Sequence, residues 1–204
     1  MSTKESFALR RSGIALGLFS LICLWGSVPL RAETPVLEQL KKQFNEDKGV
    51  LRLVVLVSPT CPACVSGAGW IQEYVLKRNP DLDVKVYAVW YEMYPGDSPD
   101  DFPEARKQMK DKRVTHYWDD SKDVGRWYFT AVPGDYKGPI QWDAFYLYGA
   151  DSVWEDQPTS LLTWGRTILE DRKNLTAQIA SLTGAAPAAD DYQVPPGVLP
   201  GGNP

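Results

Sequence analysis

Residues Val50 to Lys77 read VLRLVVLVSPTCPACVSGAGWIQEYVLK. Val50 to Val57 is a nearly unbroken apolar run rich in β-branched side chains, the pattern of a strand buried on both faces. Ser58-Pro59-Thr60 turns the chain. Cys61 to Lys77 then carries Trp70, Ile71, Tyr74, Val75 and Leu76 on an amphipathic helix that Asn79-Pro80 closes. A second strand is predicted over Leu82 to Trp90. Strand, C-x-x-C, helix and strand within so short a stretch make one right-handed crossover between parallel strands. The dithiol therefore falls at the C-terminal end of a strand, where open α/β sheets gather their chemistry.

The chemistry follows from that placement. Cys61 is predicted at the helix N-cap, where unpaired backbone N–H groups and the helix dipole favour a thiolate. It is the candidate nucleophile. Cys64, one turn later on the same side, is the candidate resolving thiol, able to attack a mixed disulfide formed on Cys61. Pro62 supplies a helix-ready φ and lacks only an N–H that the first turn leaves unpaired. Ala63 adds no charge, so the thiolate is expected to be less stabilised than in a strongly oxidising pair. Pro59 and Thr60 complete the motif on its N-terminal side.

Cysteine counting supports a chemical role. The chain has 3 cysteines, and Cys23 lies in an uncharged run from Ser12 to Leu30 that follows Lys4, Arg10 and Arg11. Residues 1–32 are read as a signal peptide cleaved after Ala32 or as a retained N-terminal membrane anchor. Either way the domain is expected outside the cytoplasm, in the periplasm or on the outer face of the inner membrane. Only Cys61 and Cys64 then remain in the folded part, and a two-residue spacing closes too short a loop for much structural benefit. A net charge of -4, with the basic runs interleaved with acids, argues against a nucleic-acid partner.

Outward from the motif, Pro35 to Phe44 has helical spacing with Thr34 as N-cap. A loop with Pro95, Gly96, Ser98, Pro99 and Pro103 precedes a short helix from Glu104 to about Lys110. Val114 to Trp118 alternates as a strand, and Asp119-Asp120-Ser121 is read as the cap of a helix reaching Tyr128. Trp142 to Tyr148 and Ser152 to Glu155, joined by Gly149-Ala150-Asp151, read as a terminal hairpin. Ser160 to Thr183 reads as a closing helix. The domain is thus expected over 33–183, followed by a disordered Pro/Gly/Ala-rich tail over 184–204.

The order LRLVVLVSPTCPACVSGAGWIQEYV, VKVYAVW, VTHYWDDSKDVGRWYF, WDAFYLYGADSVW resembles the thioredoxin superfamily, and within it the TlpA-type extracytoplasmic thiol-disulfide proteins. The resemblance spans about Val50 to Thr183. It implies an α/β, thioredoxin-like three-layer sandwich with a central mixed β-sheet and helices on both faces. It also implies a thiol-disulfide oxidoreductase with no cofactor beyond the redox-active Cys61–Cys64 disulfide. Its partners would be a disulfide-containing or dithiol protein substrate and an upstream electron donor.

Two positions depart from the family. Where the family has a cis-proline beside the dithiol, this chain has Trp142 and Asp143, with Pro133 and Pro139 nearby. Where it has a buried carboxylate before the first cysteine, this chain has Val55. Asp143 is a candidate replacement proton acceptor. Trp90, Tyr91, Trp142 and Asp143 are candidates to line a substrate groove. Two rival readings stand beside catalysis: a Sco-like copper metallochaperone using Cys61, Cys64 and His116, and a non-catalytic interaction module.

Overall fold

The computed structural model describes residues 35–132, 138–184, 190–195 and 198. Residues 1–32, expected from the sequence to be a signal peptide or membrane anchor, Thr34 and Pro133 lie outside them. Among the described residues no helix is long and apolar enough to cross a membrane.

The elements run α1 (Val36–Glu46), β1 (Leu51–Val57), α2 (Pro62–Trp70), β2 (Val84–Trp90), α3 (Phe102–Ala105), β3 (Val114–Trp118), α4 (Asp123–Ala131), β4 (Ala144–Tyr148), β5 (Leu161–Gly165) and α5 (Arg172–Thr183). α2 continues as a wider, π-helical turn over Ile71–Lys77, and 3-10 turns flank α3. The strands form one sheet in the order β3-β2-β1-β4-β5. β1 pairs parallel with β2 and antiparallel with β4, so the sheet is mixed. This is the thioredoxin-like arrangement, with β1 central and the dithiol directly after it.

The central position of β1 explains its composition. A strand flanked on both sides and covered on both faces buries successive residues, and Arg52 to Val57 are all buried. Alternation then divides the side chains between layers. On one face Phe44 of α1 meets Tyr148 with ring centroids 5.3 Å apart, and Tyr128 of α4 meets Tyr146 at 4.3 Å. The opposite face carries Val55, Val57, Ala88 and Trp90, and Trp90 packs against Phe102 of α3.

Arg52 is the exception within β1. It is fully buried, and its guanidinium donates to the carbonyls of Asp47, Val50, Gly149, Ala150 and Ser152 at 2.7 to 3.2 Å. Its Cζ also lies 4.7 Å from the Phe44 ring centre. Five carbonyl dipoles replace the water that the charge leaves behind.

The C-terminal third departs from expectation. The partner of β4 is Leu161–Gly165, not Ser152 to Glu155, and α5 begins only at Arg172. Leu161, Trp164 and Ile168 fit a helical period, yet Leu161 and Trp164 belong to the strand. Ser152 to Glu155 instead forms part of a loop that sends Trp154 into the core, 4.7 Å from Trp127. Lys122, in the left-handed conformation at φ 60°, occupies the position before α4, and Asp119 caps the helix from further back by accepting the Val124 N–H at 2.9 Å.

Of the tail over 184–204, residues 184, 190–195 and 198 are described. Asp191 accepts hydrogen bonds from Tyr74 and Arg78, each at 2.9 Å, and Tyr192 meets the Tyr74 ring edge-on at 5.7 Å. The apolar flank of the α2 extension gives those residues a surface to pack on.

Candidate active site

The register of the sheet assembles the site. β1 and β2 end side by side, with Val57 opposite Trp90, while Leu56 stands opposite Ala144 at the start of β4. The residue before β4, Asp143, is therefore brought to the strand end from which the dithiol departs.

Cys61 is the N-cap of α2, with φ -63° and ψ 118°, and Pro62 opens the helix. Its sulfur accepts the Cys64 N–H at 3.4 Å, and its carbonyl accepts the Val65 N–H at 2.9 Å. Both cysteines are free thiols. Cys61 is 2 % exposed and Cys64 is fully buried, but Thr60 and Pro62 on either side of Cys61 are exposed. The nucleophile candidate thus lies just beneath the surface.

The two sulfurs ionise differently. Cys61 is drawn below the ordinary thiol range by the Cys64 thiol hydrogen-bonded to it, against the opposing effect of burial, with help from the Cys64 and Ala63 N–H groups. Cys64 is pushed well above that range by burial, by donating to Cys61 and by the nearby Asp143 carboxylate, with the Ser58 N–H acting the other way. One sulfur is prepared as thiolate and the other as proton donor.

Asp143 is 6 % exposed and left-handed at φ 50°, a conformation that aspartate tolerates better than most residues. Burial raises its carboxyl to about 7, opposed by the Ile168 N–H, which donates to Oδ1 at 3.5 Å. Its charge raises both thiols. Ile168 also packs against Gly67 of α2, where a Cβ would come within 2.8 Å of the Ile168 Cβ. A side chain at position 67 would push the helix off this segment.

The other predicted site residues part company with the dithiol surface. Trp90 and Tyr91 are fully buried and Trp142 is 4 % exposed, so they build core rather than a substrate groove. Tyr91 donates to the Gln141 carbonyl, which ties β2 to the segment before β4. His116 has both ring nitrogens engaged: Nδ1 accepts from Trp90 Nε1 at 3.0 Å, and Nε2 therefore donates to the Met109 carbonyl at 2.9 Å. Among the described residues no group of three His, Cys, Asp or Glu side chains is arranged to hold a metal ion. No peptide bond among them is cis, that of Pro139 included.

Sequence reasoning missed Asp97. It sits in the loop after β2, and its carboxylate accepts from the Thr60 N–H at 3.0 Å, from Thr60 Oγ1, from Ser58 Oγ, and from the Met93 and Tyr94 N–H groups at 2.8 Å each. The parallel pairing of β1 and β2 was the available signal, because it sends both following loops to one edge.

No protein-family model and no curated protein matches the chain. Among solved structures it is similar to a secreted Mycobacterium tuberculosis disulfide oxidoreductase homologous to E. coli DsbE, at 19% identity over 67% of this chain and 84% of that one, with a TM-score of 0.43. It is also similar to a Chlorobium tepidum protein assigned as the thiol:disulfide interchange protein DsbE, at 16% identity over 68% and 83% of the two chains and a TM-score of 0.47. A yeast mitochondrial 1-Cys peroxiredoxin matches at 10% identity over 74% of each chain, with a TM-score of 0.45. What makes this chain thioredoxin-like is its own strand order and the dithiol at the end of β1.

Proposed function

We propose that the protein is an extracytoplasmic thiol-disulfide oxidoreductase. The carrying observation is the division of labour in the dithiol, with Cys61 at the helix N-cap stabilised as thiolate and Cys64 buried as its proton donor.

In the reducing direction, the Cys61 thiolate attacks one sulfur of a partner disulfide. The partner's S–S bond breaks, its second sulfur leaves as a thiolate, and a mixed disulfide forms on Cys61. Cys64 then gives its proton to the Asp143 carboxylate and attacks the Cys61 sulfur. The partner's first sulfur leaves, and Cys61–Cys64 closes as a disulfide. Two electrons have passed to the partner, and a dithiol donor restores the pair by the reverse sequence. Export is supported by Lys4, Arg10 and Arg11 ahead of the apolar Ser12 to Leu30 run.

The test is dithiothreitol-driven reduction of insulin by the purified chain. The wild type is expected to accelerate it and Cys61→Ser to match buffer. A wild type no faster than Cys61→Ser would contradict the proposal.

A further inference from the structure

The turn that delivers the dithiol is held from outside the motif. Ser58-Pro59-Thr60 leads into Cys61, and three of the five donors to Asp97 come from Ser58 and Thr60. The other two, the Met93 and Tyr94 N–H groups, belong to the loop after β2. Ser58 Oγ itself accepts the Tyr94 N–H at 3.1 Å, closing the cluster. Partial burial opposes ionisation of Asp97, but the hydrogen bonds from Ser58, Thr60, Met93 and Tyr94 outweigh it and hold the carboxyl below its usual range. It is a carboxylate at neutral pH, with nearly all its acceptor capacity used.

The same turn leads directly into the cysteine pair. Thr60 directly precedes Cys61, so the geometry of the turn sets how the chain enters the Cys61 N-cap.

We propose that Asp97 is a positioning residue for the dithiol, its carboxylate fixing the Ser58–Thr60 turn so that Cys61 holds its N-cap geometry. This deepens, and rests on, the reading of Cys61–Cys64 as the working pair. Asp97 touches neither sulfur and acts only through the turn.

Two effects of removing Asp97 have opposite signs, which makes the inference testable. Loss of a negative charge by itself makes a nearby thiolate easier to form. Loss of positioning makes it harder, because the Cys64 N–H and helix dipole no longer converge on Cys61. In Asp97→Asn the side-chain N–H₂ meets donors instead of accepting from them, while size is kept.

The measurement is the rate of Cys61 alkylation by iodoacetamide against pH, located by mass spectrometry. Asp97→Asn is expected to slow labelling about tenfold at neutral pH, equivalent to about one pH unit in the apparent ionisation, and Asp97→Glu to recover part of the rate. Thr60→Val removes a single exposed hydroxyl donor, keeps the N–H, and serves if Asp97→Asn fails to fold. It is expected to slow labelling about threefold, equivalent to about half a pH unit in the apparent ionisation. A profile unchanged or shifted to lower pH in a folded variant would overturn the inference. Because alkylation needs no protein substrate, this result is independent of whether the wild type reduces insulin.

Discussion

Asp143 lies at the same end of the sheet as Cys64, because the antiparallel register of β1 and β4 brings the residue before β4 to the strand end from which the chain enters α2. Both are almost wholly buried, and the Asp143 carboxylate makes it harder for Cys64 to hold a negative charge. The proposed mechanism passes the Cys64 proton to this carboxylate.

Asp143→Asn tests that route. Asparagine keeps the Oδ1 acceptor for the Ile168 N–H and tolerates the left-handed backbone. The attack of Cys64 on a mixed disulfide is expected to slow about 100-fold and to lose its rise through pH 7, read by stopped-flow release of a chromogenic thiol. A rate unchanged or faster would mean that the carboxylate only repels the thiolate.

The same group makes stability depend on pH. Its carboxyl is raised in the folded state from 3.8 to about 7, so the folded protein binds the extra proton between those values. Stability from this group is complete below about pH 4 and falls as pH rises to about 7. Across that window the wild type is expected to lose on the order of 4 kcal/mol relative to Asp143→Asn, measured by urea unfolding at several pH values. Parallel stability curves would contradict the burial of an ionisable carboxyl here.

Trapping separates the two cysteines. Cys64→Ser should accumulate a mixed disulfide with a small aromatic disulfide, because Cys61 attacks and nothing resolves it. Cys61→Ser should accumulate at least about tenfold less, since its remaining thiol is buried and protonated. Equal trapping would reverse or erase the assigned roles.

Arg52 anchors the opposite end of β1. Arg52→Met leaves the five carbonyls without their donor and should cost about 3 kcal/mol or more in denaturant unfolding, with Cys61 alkylation unaffected in the folded fraction. Full retention of stability would show that the loop carbonyls find other partners.

The strand–dithiol–helix core was legible because its signals are local. The Val50 to Val57 run admits one reading, and Pro62 and Asn79-Pro80 mark the helix at both ends. The β4 partner was not legible, since turn chemistry at Gly149 to Asp151 favours the nearest strand-like segment. The actual partner lies beyond a loop held by Trp154 packing and by Asn45, whose side chain bonds the Trp154 backbone at 2.8 Å in both directions. The aromatic residues near the dithiol misled for a related reason: composition does not distinguish a groove wall from a core. Asp143 was recognised by its position before β4, while Asp97 was hidden because its five donors come from two loops that meet only in three dimensions.

The most direct measurement of the central claim is competitive alkylation of the reduced chain by limiting iodoacetamide across pH, with the labelled cysteine identified by mass spectrometry. Cys61 should be modified first, with an apparent ionisation below that of an unperturbed thiol, about 8.5, and Cys64 should resist until the protein unfolds. Labelling of Cys64 first, or of Cys61 only at the pH of a free thiol, would contradict the account.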